Sequence, residues 1–439
     1  MPFAAAPAAA EPSLQTTVDA ALDRRLDAES QAPVALALSG GGDSMALLGL
    51  TIAWTRARGR PLIAFNVDHR INLSSGDWTR AAAEAAGRAG AGFAALDWTG
   101  PKPGAGLPAA ARAARHALLA TAARKAGARV LLTGHTLDDV LEGERMRAQD
   151  TPGLGRLREW SPSPAWPEGR GLFLLRPLLG LRREALRDWL RARRETWIED
   201  PANADPRFAR SRARSFLASP SGAAQQGPEG EGSSSPPPRM ELSITPDGRI
   251  LVRRDRIDAH LLSAALLCAA GTGQPPRGVQ LARLLERLAG AAPVDATLAG
   301  ARLVADGDVV QIGRDAGERF RGGLAPLALS PGEVAVWDGR FELTAGAPGL
   351  CVQPLGGVIA RLGHRDRARL KAIPPWARGA IPALVSPDGA VSLPRPLGEG
   401  PAAATPLAGA RLAAALGSVA RESDLVDRAH GAGDLLILC

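Results

Sequence analysis

The stretch Ser39-Gly40-Gly41-Gly42-Asp43-Ser44 decides the fold of this 439-residue chain. It follows the apolar run Val34–Leu38, which predicts a buried strand, and it precedes Met45–Leu50, which predicts the first turns of a helix. A glycine-rich turn from strand to helix directs successive backbone N–H groups at one point, where the helix dipole adds partial positive charge. We therefore predict that the turn binds phosphate, the alternative being a turn without chemical meaning. The Gly-Lys-Ser/Thr ending of the Walker loop is missing, which disfavours a kinase or GTPase.

Short apolar runs and Ala/Leu-rich stretches alternate on either side of this turn, from about residue 33 to 200. This alternation predicts an α/β fold with a doubly wound parallel sheet, in which ligands bind at the carboxyl ends of the strands. Ser39, Asp68, His69 and His135 all follow predicted strands and should meet at that edge. The predicted strands cover residues 34–39, 61–69, 91–98 and 128–135, and the predicted helices cover 44–59, 75–90 and 107–127.

Composition places limits on the class of protein. The chain is 45% hydrophobic and 22% charged, and it contains no apolar run of the roughly 20 residues that cross a bilayer. Three widely spaced cysteines, Cys268, Cys351 and Cys439, form neither a disulfide framework nor a zinc pattern, so we expect a cytoplasmic protein without a membrane partner.

Low-complexity segments divide the chain. We expect a disordered tail over 1–30, a catalytic domain over 31–218 and a Gly/Ser/Pro-rich linker over 219–239. Beyond the linker we expect a small α+β module over 240–316 and a β-rich module over 325–439.

Net charge points towards nucleic acid. The chain carries +8 at pH 7 and has a pI near 10.6, although its wealth of Arg beside Ala, Gly and Pro also suits a GC-rich coding bias. Residues 176–214 hold eleven Arg against six Asp or Glu, with Trp and Phe interleaved. This segment predicts an RNA-contacting strip, or otherwise an ordinary salt-bridged helix followed by a loop.

Two groups of charged residues suggest ligand binding. Arg112 and Arg115 lie three residues apart on one predicted helix face, where guanidinium groups clamp a phosphate or form a solvated basic face. Asp138 and Glu142 share a face of the helix that follows His135, and two neighbouring carboxylates repel each other unless a cation, Mg²⁺ or an ammonium, lies between them. Carboxylates in a first helical turn also simply complement the dipole.

Together these motifs resemble the tRNA(Ile)-lysidine synthases, a branch of the PP-loop ATP-pyrophosphatases. SGGGDS is similar to that family's SGGxDS, NVDHRI to VDHGLR, ARAARHALL to ARxxRYxxL and TGHTLDDVLEGE to HxxDDxxET. RPLL and IEDPANADPRFARSRAR are similar to the family's RPLL and EDPxNxDxxFxRNRIR. The chain departs from the family pattern at Asn72, His116, Val140, Gly143 and Ser211.

The resemblance implies a two-step reaction that consumes ATP with Mg²⁺. The C2 oxygen of the wobble cytidine (position 34) in a CAU-anticodon tRNA(Ile) is adenylated with loss of pyrophosphate, and free L-lysine then displaces AMP. The resemblance also suggests homodimers.

The resemblance further implies a role for each matched residue. The glycine turn Ser39–Ser44 with Asp68 and His69 would bind ATP, and Asp43 would also meet the metal. Arg112, Arg115 and His135 would stabilise the adenylation transition state, while Asp138 and Glu142 would receive the lysine. The arginines that would contact tRNA are Arg207, Arg210, Arg212 and Arg214.

Two other classes of function stay open. A tRNA 2-thiolating enzyme of the same superfamily needs a sulfur-carrying cysteine or an iron–sulfur site, and residues 1–267 contain no cysteine. A basic RNA-binding protein with a degenerate loop would form neither AMP nor pyrophosphate.

Overall fold

The structure is a computed structural model, and it describes residues 13–72, 74–148, 156–199, 209–217, 240–276, 278–425 and 436–438. The chain divides into two compact units. The first comprises the described residues within 1–232 together with Ala420–Leu425, and the second comprises those within 233–419 and 426–439.

The first unit is built on a six-stranded sheet with the order β3-β2-β1-β4-β6-β5. Its first five strands in that order are parallel, and β5 runs antiparallel at one edge. The chain therefore has the predicted doubly wound α/β fold. The strands are β1 (Val34–Ala37), β2 (Leu62–Asp68), β3 (Gly92–Asp97), β4 (Val130–Leu132), β5 (Trp160–Pro162) and β6 (Phe173–Leu175).

Helices connect these strands, as the alternating sequence predicts. The central strands β1 and β4 are apolar throughout and almost wholly buried, which is typical of parallel strands covered on both faces. The helices are α1 (Leu14–Arg25), α2 (Gly42–Ala57), α3 (Ser75–Ala89), α4 (Leu107–Lys125), α5 (Leu137–Ala148), α6 (Arg183–Ala192) and α7 (Ala209–Leu217).

The prediction of a disordered tail over 1–30 is wrong for residues 14–25, which form α1. Ser13 caps this helix by accepting the N–H of Thr16, and Val18 and Leu22 are fully buried. The helix is short and only weakly amphipathic, and its stability comes from packing on α2, which no local pattern predicts. The rest of the predicted tail up to residue 12, and the predicted linker over 219–239, lie outside the described residues.

The second unit is rich in antiparallel strands. One six-stranded sheet has the order β19-β7-β8-β11-β10-β9, and its predicted hairpin turns at Gly307 and Asp308, one residue later than the predicted Asp306 and Gly307. Its strands are β7 (Met240–Ile244), β8 (Ile250–Arg253), β9 (Val294–Leu298), β10 (Ala301–Asp306), β11 (Val309–Arg314) and β19 (Leu436–Leu438), and its helices are α8 (Ala259–Ala270) and α9 (Gly278–Ala289).

Two smaller sheets complete the second unit, with the orders β12-β15-β16-β17 and β13-β14-β18. They comprise β12 (Leu327–Ala328), β13 (Val334–Trp337), β14 (Phe341–Ala345), β15 (Cys351–Pro354), β16 (Pro382–Val385), β17 (Val391–Ser392) and β18 (Ala402–Pro406). The helices here are α10 (His364–Arg369), α11 (Pro375–Arg378) and α12 (Ala408–Ala415).

The predicted boundary near 316–325 does not separate two continuous modules. Leu412 of α12 belongs to the hydrophobic core formed by residues 240–312, and β19 pairs with β7. The chain thus returns to its earlier sheet after forming the two small ones. No helix in the described part of the chain is both long and apolar enough to span a bilayer.

Candidate active site

The glycine turn occupies the point at which the strand order of the first sheet reverses. Strand β1 pairs with β2 on one side and with β4 on the other, so the turn after β1 and the turn after β4 diverge there and leave a crevice. Helix α2 begins at Gly42 with Gly41 as its N-cap, which directs the free N–H groups of its first turn into the crevice.

Close packing explains two of the glycines in these turns. Gly40 has φ +83°, and a Cβ atom added to it would lie 2.5 Å from Cδ1 of Ile198, whose N–H donates to the Gly40 carbonyl. Gly134, in the turn after β4, would place a Cβ 3.1 Å from the backbone of Asp43 and Ser44. The sequence therefore keeps both turns in direct backbone contact.

The two serines of the turn bond to each other and to its backbone. Ser39 Oγ lies 3.1 Å from Ser44 Oγ, and the Ser44 hydroxyl donates to the Gly41 carbonyl at 2.9 Å. Gly41 N–H in turn donates to Ser39 Oγ at 3.4 Å. The turn is therefore held in shape by its own side chains.

A cleft of 1490 Å³ opens at this edge of the sheet, and most of the predicted nucleotide-binding residues line it. A cavity of this size is ample for a nucleotide and a second substrate group. The predicted residues that line it are Ser39, Gly41, Gly42, Asp43, Ser44, Asp68, His69, Arg115, His135 and Arg214, whereas Gly40, Arg112, Asp138, Glu142 and Arg212 do not.

Asp68 and His69 lie at the end of β2 with different local roles. The Asp68 carboxylate accepts the N–H of Arg70 at 2.7 Å, so it stabilises the turn after β2. His69 packs edge-on against Trp98, and its buried Nδ1 has no hydrogen-bond partner among the described residues. Burial, with the Arg115 charge, lowers the pKa of His69 below its ordinary value.

Arg112 and Arg115, which were predicted to share one helix face, have different surroundings. Arg115 lines the cleft and Arg112 is exposed. Between them and Arg176, His116 is buried, and desolvation followed by repulsion from these arginines lowers the pKa of its imidazole to about 3. His116 is therefore neutral at physiological pH.

Arg183 lies at the centre of the acidic residues, although it was not among the site residues predicted from the sequence. Its guanidinium contacts Asp43 at 3.1 Å, Asp139 at 3.0 Å and Glu142 at 3.1 Å. Burial alone would lower the pKa of Arg183, but these three carboxylates raise it above its ordinary value. The only sequence signal was its place in an Arg-rich segment.

The contact with Arg183 compensates the buried negative charge of Asp43 only in part. Desolvation raises the pKa of its carboxyl, with a further contribution from Asp139, while Arg183 opposes the shift. A carboxylate that burial destabilises in this way gains from any additional cation that enters the cleft.

Asp138 and Glu142 lie on α5 as predicted, but arginines already occupy the space between them. Asp138 contacts Arg182 at 3.0 Å and accepts the backbone N–H of Arg183 at 2.7 Å. Glu142, whose side chain is 2% exposed, contacts Arg214 at 2.9 Å in addition to Arg183. Both carboxylates line a second cavity of 140 Å³, together with Leu141, Leu217 and these arginines.

The arginines predicted to contact tRNA are only partly described. Arg207 lies outside the described residues, and Arg210 belongs to α7 without a described side chain. Arg212 is exposed on α7, whereas Arg214 points to Glu142. At Arg214 the salt-bridged alternative therefore describes the structure.

The cleft offers few protein ligands for Mg²⁺, and those present suit this ion. No cluster of three or more metal-ligating side chains occurs in the described part of the chain. Mg²⁺ usually binds one or two carboxylates together with waters and substrate phosphates, and Asp43 and Asp139 line the cleft beside the phosphate turn. The raised pKa of Asp43 agrees with a carboxylate that lacks a full complement of positive charge.

Comparison with known proteins agrees with this geometry. A PP-loop domain family matches residues 13–220. A tRNA(Ile)-lysidine synthase of Caulobacter vibrioides is 53% identical over 372 residues, which are 85% of this chain and 88% of that protein. The chain belongs to the tRNA(Ile)-lysidine synthase family. The tRNA(Ile)-lysidine synthase of Hyphomonas neptunium is 36% identical over 370 residues, 74% of this chain and 95% of that protein.

Membership of the tRNA(Ile)-lysidine synthase family confirms the resemblance stated from the motifs, and the PP-loop domain implies the use of ATP. Among solved structures, the U34-tRNA thiolase NcsA from Methanococcus maripaludis with its [4Fe-4S] cluster covers 46% of this chain and 72% of its own at 17% identity, with a TM-score of 0.40. That overlap is too low to bear on the reaction.

Three departures from the family pattern can be placed in the site. Asn72, His116 and Ser211 all line the large cleft, the last two as buried side chains. The Asn72 side chain accepts the N–H of Ser74 at 3.0 Å and stabilises its own turn. Val140 and Gly143 lie on α5 outside the lining of both cavities.

Proposed function

We propose that this protein is an AMP-forming carbon–nitrogen ligase that joins free lysine to C2 of the wobble cytidine in tRNA(Ile) with the CAU anticodon. The observation that carries the proposal is the pairing of two cavities on one sheet edge. A phosphate turn opens on the larger, and carboxylates with arginines and leucines line the smaller.

The first step would take place in the large cleft. The C2 oxygen of the cytidine attacks the α-phosphorus of ATP, and pyrophosphate leaves towards the N–H groups of Gly41 to Ser44 at the start of α2. Arg115 and His135 line the same cleft and would stabilise the negative charge that develops on the phosphates. Arg112, which is exposed, would act on this charge only at longer range.

Asp43 and Asp139 would hold Mg²⁺ beside the phosphates. The ion, when bound, would neutralise charge on the leaving pyrophosphate. Asp43 lies in the first turn of α2 and Asp139 in the first turn of α5, so the two carboxylates lie at the helix ends that flank the crevice.

The second step would use the small cavity. Free lysine carries an ammonium at each end of an aliphatic chain and one carboxylate, and the cavity offers carboxylates, guanidinium groups and two leucines. Asp138 and Glu142 would receive an ammonium, and Arg182 or Arg214 the carboxylate. One amine must lose its proton before it attacks C2 and displaces AMP, so a neighbouring carboxylate would act as base.

The tRNA itself would be bound through phosphate contacts. The net charge of +8 and the exposed Arg212 on α7 support this binding. The homodimer and the cytoplasmic location stay predictions.

Lysine incorporation tests the proposal directly. The protein is incubated with ATP, Mg²⁺, labelled lysine and a CAU-anticodon tRNA(Ile), and the label in tRNA and the release of pyrophosphate are measured. We expect one lysine per tRNA with one AMP and one pyrophosphate. An Asp43→Ala variant should release no pyrophosphate while it binds tRNA with nearly unchanged affinity.

Two outcomes would contradict the proposal. Pyrophosphate release that requires a sulfur donor in place of lysine would identify a thiolating enzyme. Binding of tRNA without any AMP or pyrophosphate would identify a non-catalytic RNA-binding protein.

A further inference from the structure

Arg183 joins two parts of the site that arise from distant segments of the chain. Its Nε donates to Asp43 on α2, while Nη2 and Nη1 donate to Asp139 and Glu142 on α5. The side chain is 14% exposed, so water contributes little to this arrangement. One planar guanidinium therefore fixes three carboxylates relative to one another.

The backbone of Arg183 is itself tightly held. It is the first residue of α6, and its N–H donates to Asp138 at 2.7 Å. One turn and a half further along, Trp189 packs on α2 at Gly49, where an added Cβ would lie 2.7 Å from the indole ring. The helix that carries Arg183 therefore packs closely on the backbone of α2.

Arg183 also lines both cavities. It belongs to the wall of the 1490 Å³ cleft and to that of the 140 Å³ cavity. An amine held by Glu142 in the small cavity therefore has the Arg183 guanidinium between itself and the phosphate turn.

We propose that Arg183 is a positioning residue that couples the two steps, holding Asp43 in place for adenylation and occupying Glu142 until the ammonium of lysine replaces it there. This inference rests on the function proposed above. It assigns to Arg183 no contact with the reacting atoms, because its effect passes through Asp43 and Glu142.

A lysine side chain at position 183 could not fully replace the arginine in this role. An ammonium is a point charge without the planar fork of a guanidinium, so it cannot meet three carboxylates from two helices in fixed directions. Arg183→Lys keeps the positive charge and loses the geometry, whereas Arg183→Gln loses both.

The experiment compares these two variants with one control, Arg191→Gln, and with one variant of the lysine cavity, Arg182→Gln. Arg191→Gln changes an exposed residue on the same helix that contacts Glu184 and Asp188 and lines neither cavity. Arg182→Gln changes a residue that lines only the small cavity and contacts Asp138. Pyrophosphate release with tRNA but no lysine reports the first step, and labelled lysine in tRNA reports the second.

We expect Arg183→Gln to lower kcat of pyrophosphate release by about tenfold or more, the scale of a lost charge-assisted hydrogen bond. The KM for lysine should not rise, because the guanidinium that competes for Glu142 is gone. Arg183→Lys should recover part of kcat. Arg182→Gln should raise the KM for lysine, and Arg191→Gln should change neither pyrophosphate release nor the KM for lysine.

A double variant separates positioning from general loosening. If Arg183 acts through the carboxylates, its effect and that of Asp139 on kcat should overlap. The fold-loss in kcat of the double variant Asp139→Asn, Arg183→Gln should then be smaller than the product of the fold-losses of the two single variants. Thermal unfolding of each variant shows whether it is folded. If Arg183→Gln is not folded, Arg183→Lys is used for the comparison in its place.

The inference fails if both Arg183 variants raise the KM values for ATP and lysine together without lowering kcat, or if Arg183→Gln behaves like Arg191→Gln. It also fails if the losses in the double variant simply multiply. Failure of the proposed function is distinct, since the unmodified protein would then incorporate no lysine at all.

Discussion

Buried and partly buried carboxylates of the first unit, on α2 and α5, are each paired with an arginine side chain. Glu142 and Asp139 are buried, and isolated charges there would be costly. Arginine side chains contact each of them or a neighbour, as with Arg183, whose three contacts are about 3 Å long. Breaking such a group by removing one partner is costly because the remaining charge stays buried.

His116 gives a prediction about pH at the same scale. Its folded pKa is about 3 against 6.5 for an ordinary imidazole, so the unfolded chain binds the extra proton between these values. Stability should therefore fall as pH drops below about 6.5, by up to about 1.4 kcal/mol for each pH unit from this one group. His116→Tyr, which restores the residue of the family pattern, should make the fall between pH 6 and pH 4 shallower.

Denaturant unfolding at several pH values measures this slope. The matched control is His364→Tyr, an exposed position in the second unit, which should leave the slope as it is. An unchanged slope for His116→Tyr would contradict the assignment of a buried neutral imidazole.

Asp138 yields a second prediction. Its contacts are to Arg182 and to the first N–H of α6, so its charge supports the wall of the small cavity and not the phosphate turn. Asp138→Asn should raise the KM for lysine about tenfold, the scale of one charge-assisted hydrogen bond, and change nucleotide affinity far less. Isothermal titration with a non-hydrolysable ATP analogue and the lysine KM distinguish the two effects. Equal losses would show that this carboxylate serves the nucleotide.

At the scale of elements, the site depends on how the turns after β1 and β4 fit together and against the segment around Ile198. Ile198 N–H bonds to Gly40, and Gly134 contacts the start of α2. A segment from residue 197 to 199, far along the chain, therefore forms one side of the phosphate turn. These elements position the free N–H groups of α2 at the cleft.

Gly40→Ala tests this fit. The substitution combines a strained φ of +83° with a contact of 2.5 Å to Cδ1 of Ile198, so the turn or the Ile198 side chain must move. We expect nucleotide affinity to fall by about tenfold or more, because backbone N–H groups displaced by even 1 Å no longer meet the phosphates. Fluorescence titration with an ATP analogue measures the loss.

Gly59→Ala is the matched control. Gly59 has φ +63° in the same unit, but nothing lies within 4 Å of an added Cβ. It should cost about 1 kcal/mol of stability from backbone strain and leave nucleotide affinity unchanged. Equal loss of affinity in the two variants would mean that strain, and not contact with Ile198, decides the geometry.

At the scale of the whole molecule, a short segment near the carboxyl end completes the first unit. Arg60 and Glu422 form a bidentate ion pair at 2.8 Å with both side chains fully buried, across 362 residues of sequence. Glu422 also accepts the N–H of Asp27, and Ala420 accepts a hydrogen bond from Arg25. The 420–425 segment is therefore part of the core around α1.

Glu422→Gln should destabilise the first unit by about 3 kcal/mol, because it leaves the Arg60 guanidinium buried without its counter-charge. Urea unfolding of the full chain, followed by tryptophan fluorescence, measures the change. The control Asp77→Asn removes an exposed carboxylate that contacts Arg80, and it should scarcely move the unfolding midpoint. A midpoint for Glu422→Gln equal to that of Asp77→Asn would show that the buried pair contributes nothing.

The sequence by itself determined the phosphate turn, the strand–helix alternation and the family. These features are local, because glycine spacing, apolar runs and helical periodicity each depend on residues that are close together in the sequence. The tertiary structure alone decided which charges meet: Arg183 with Asp43, Arg60 with Glu422, and α1 with α2 where a disordered tail was predicted. Pairings between residues that are distant in sequence depend on burial and packing, and these exist only once the chain has folded.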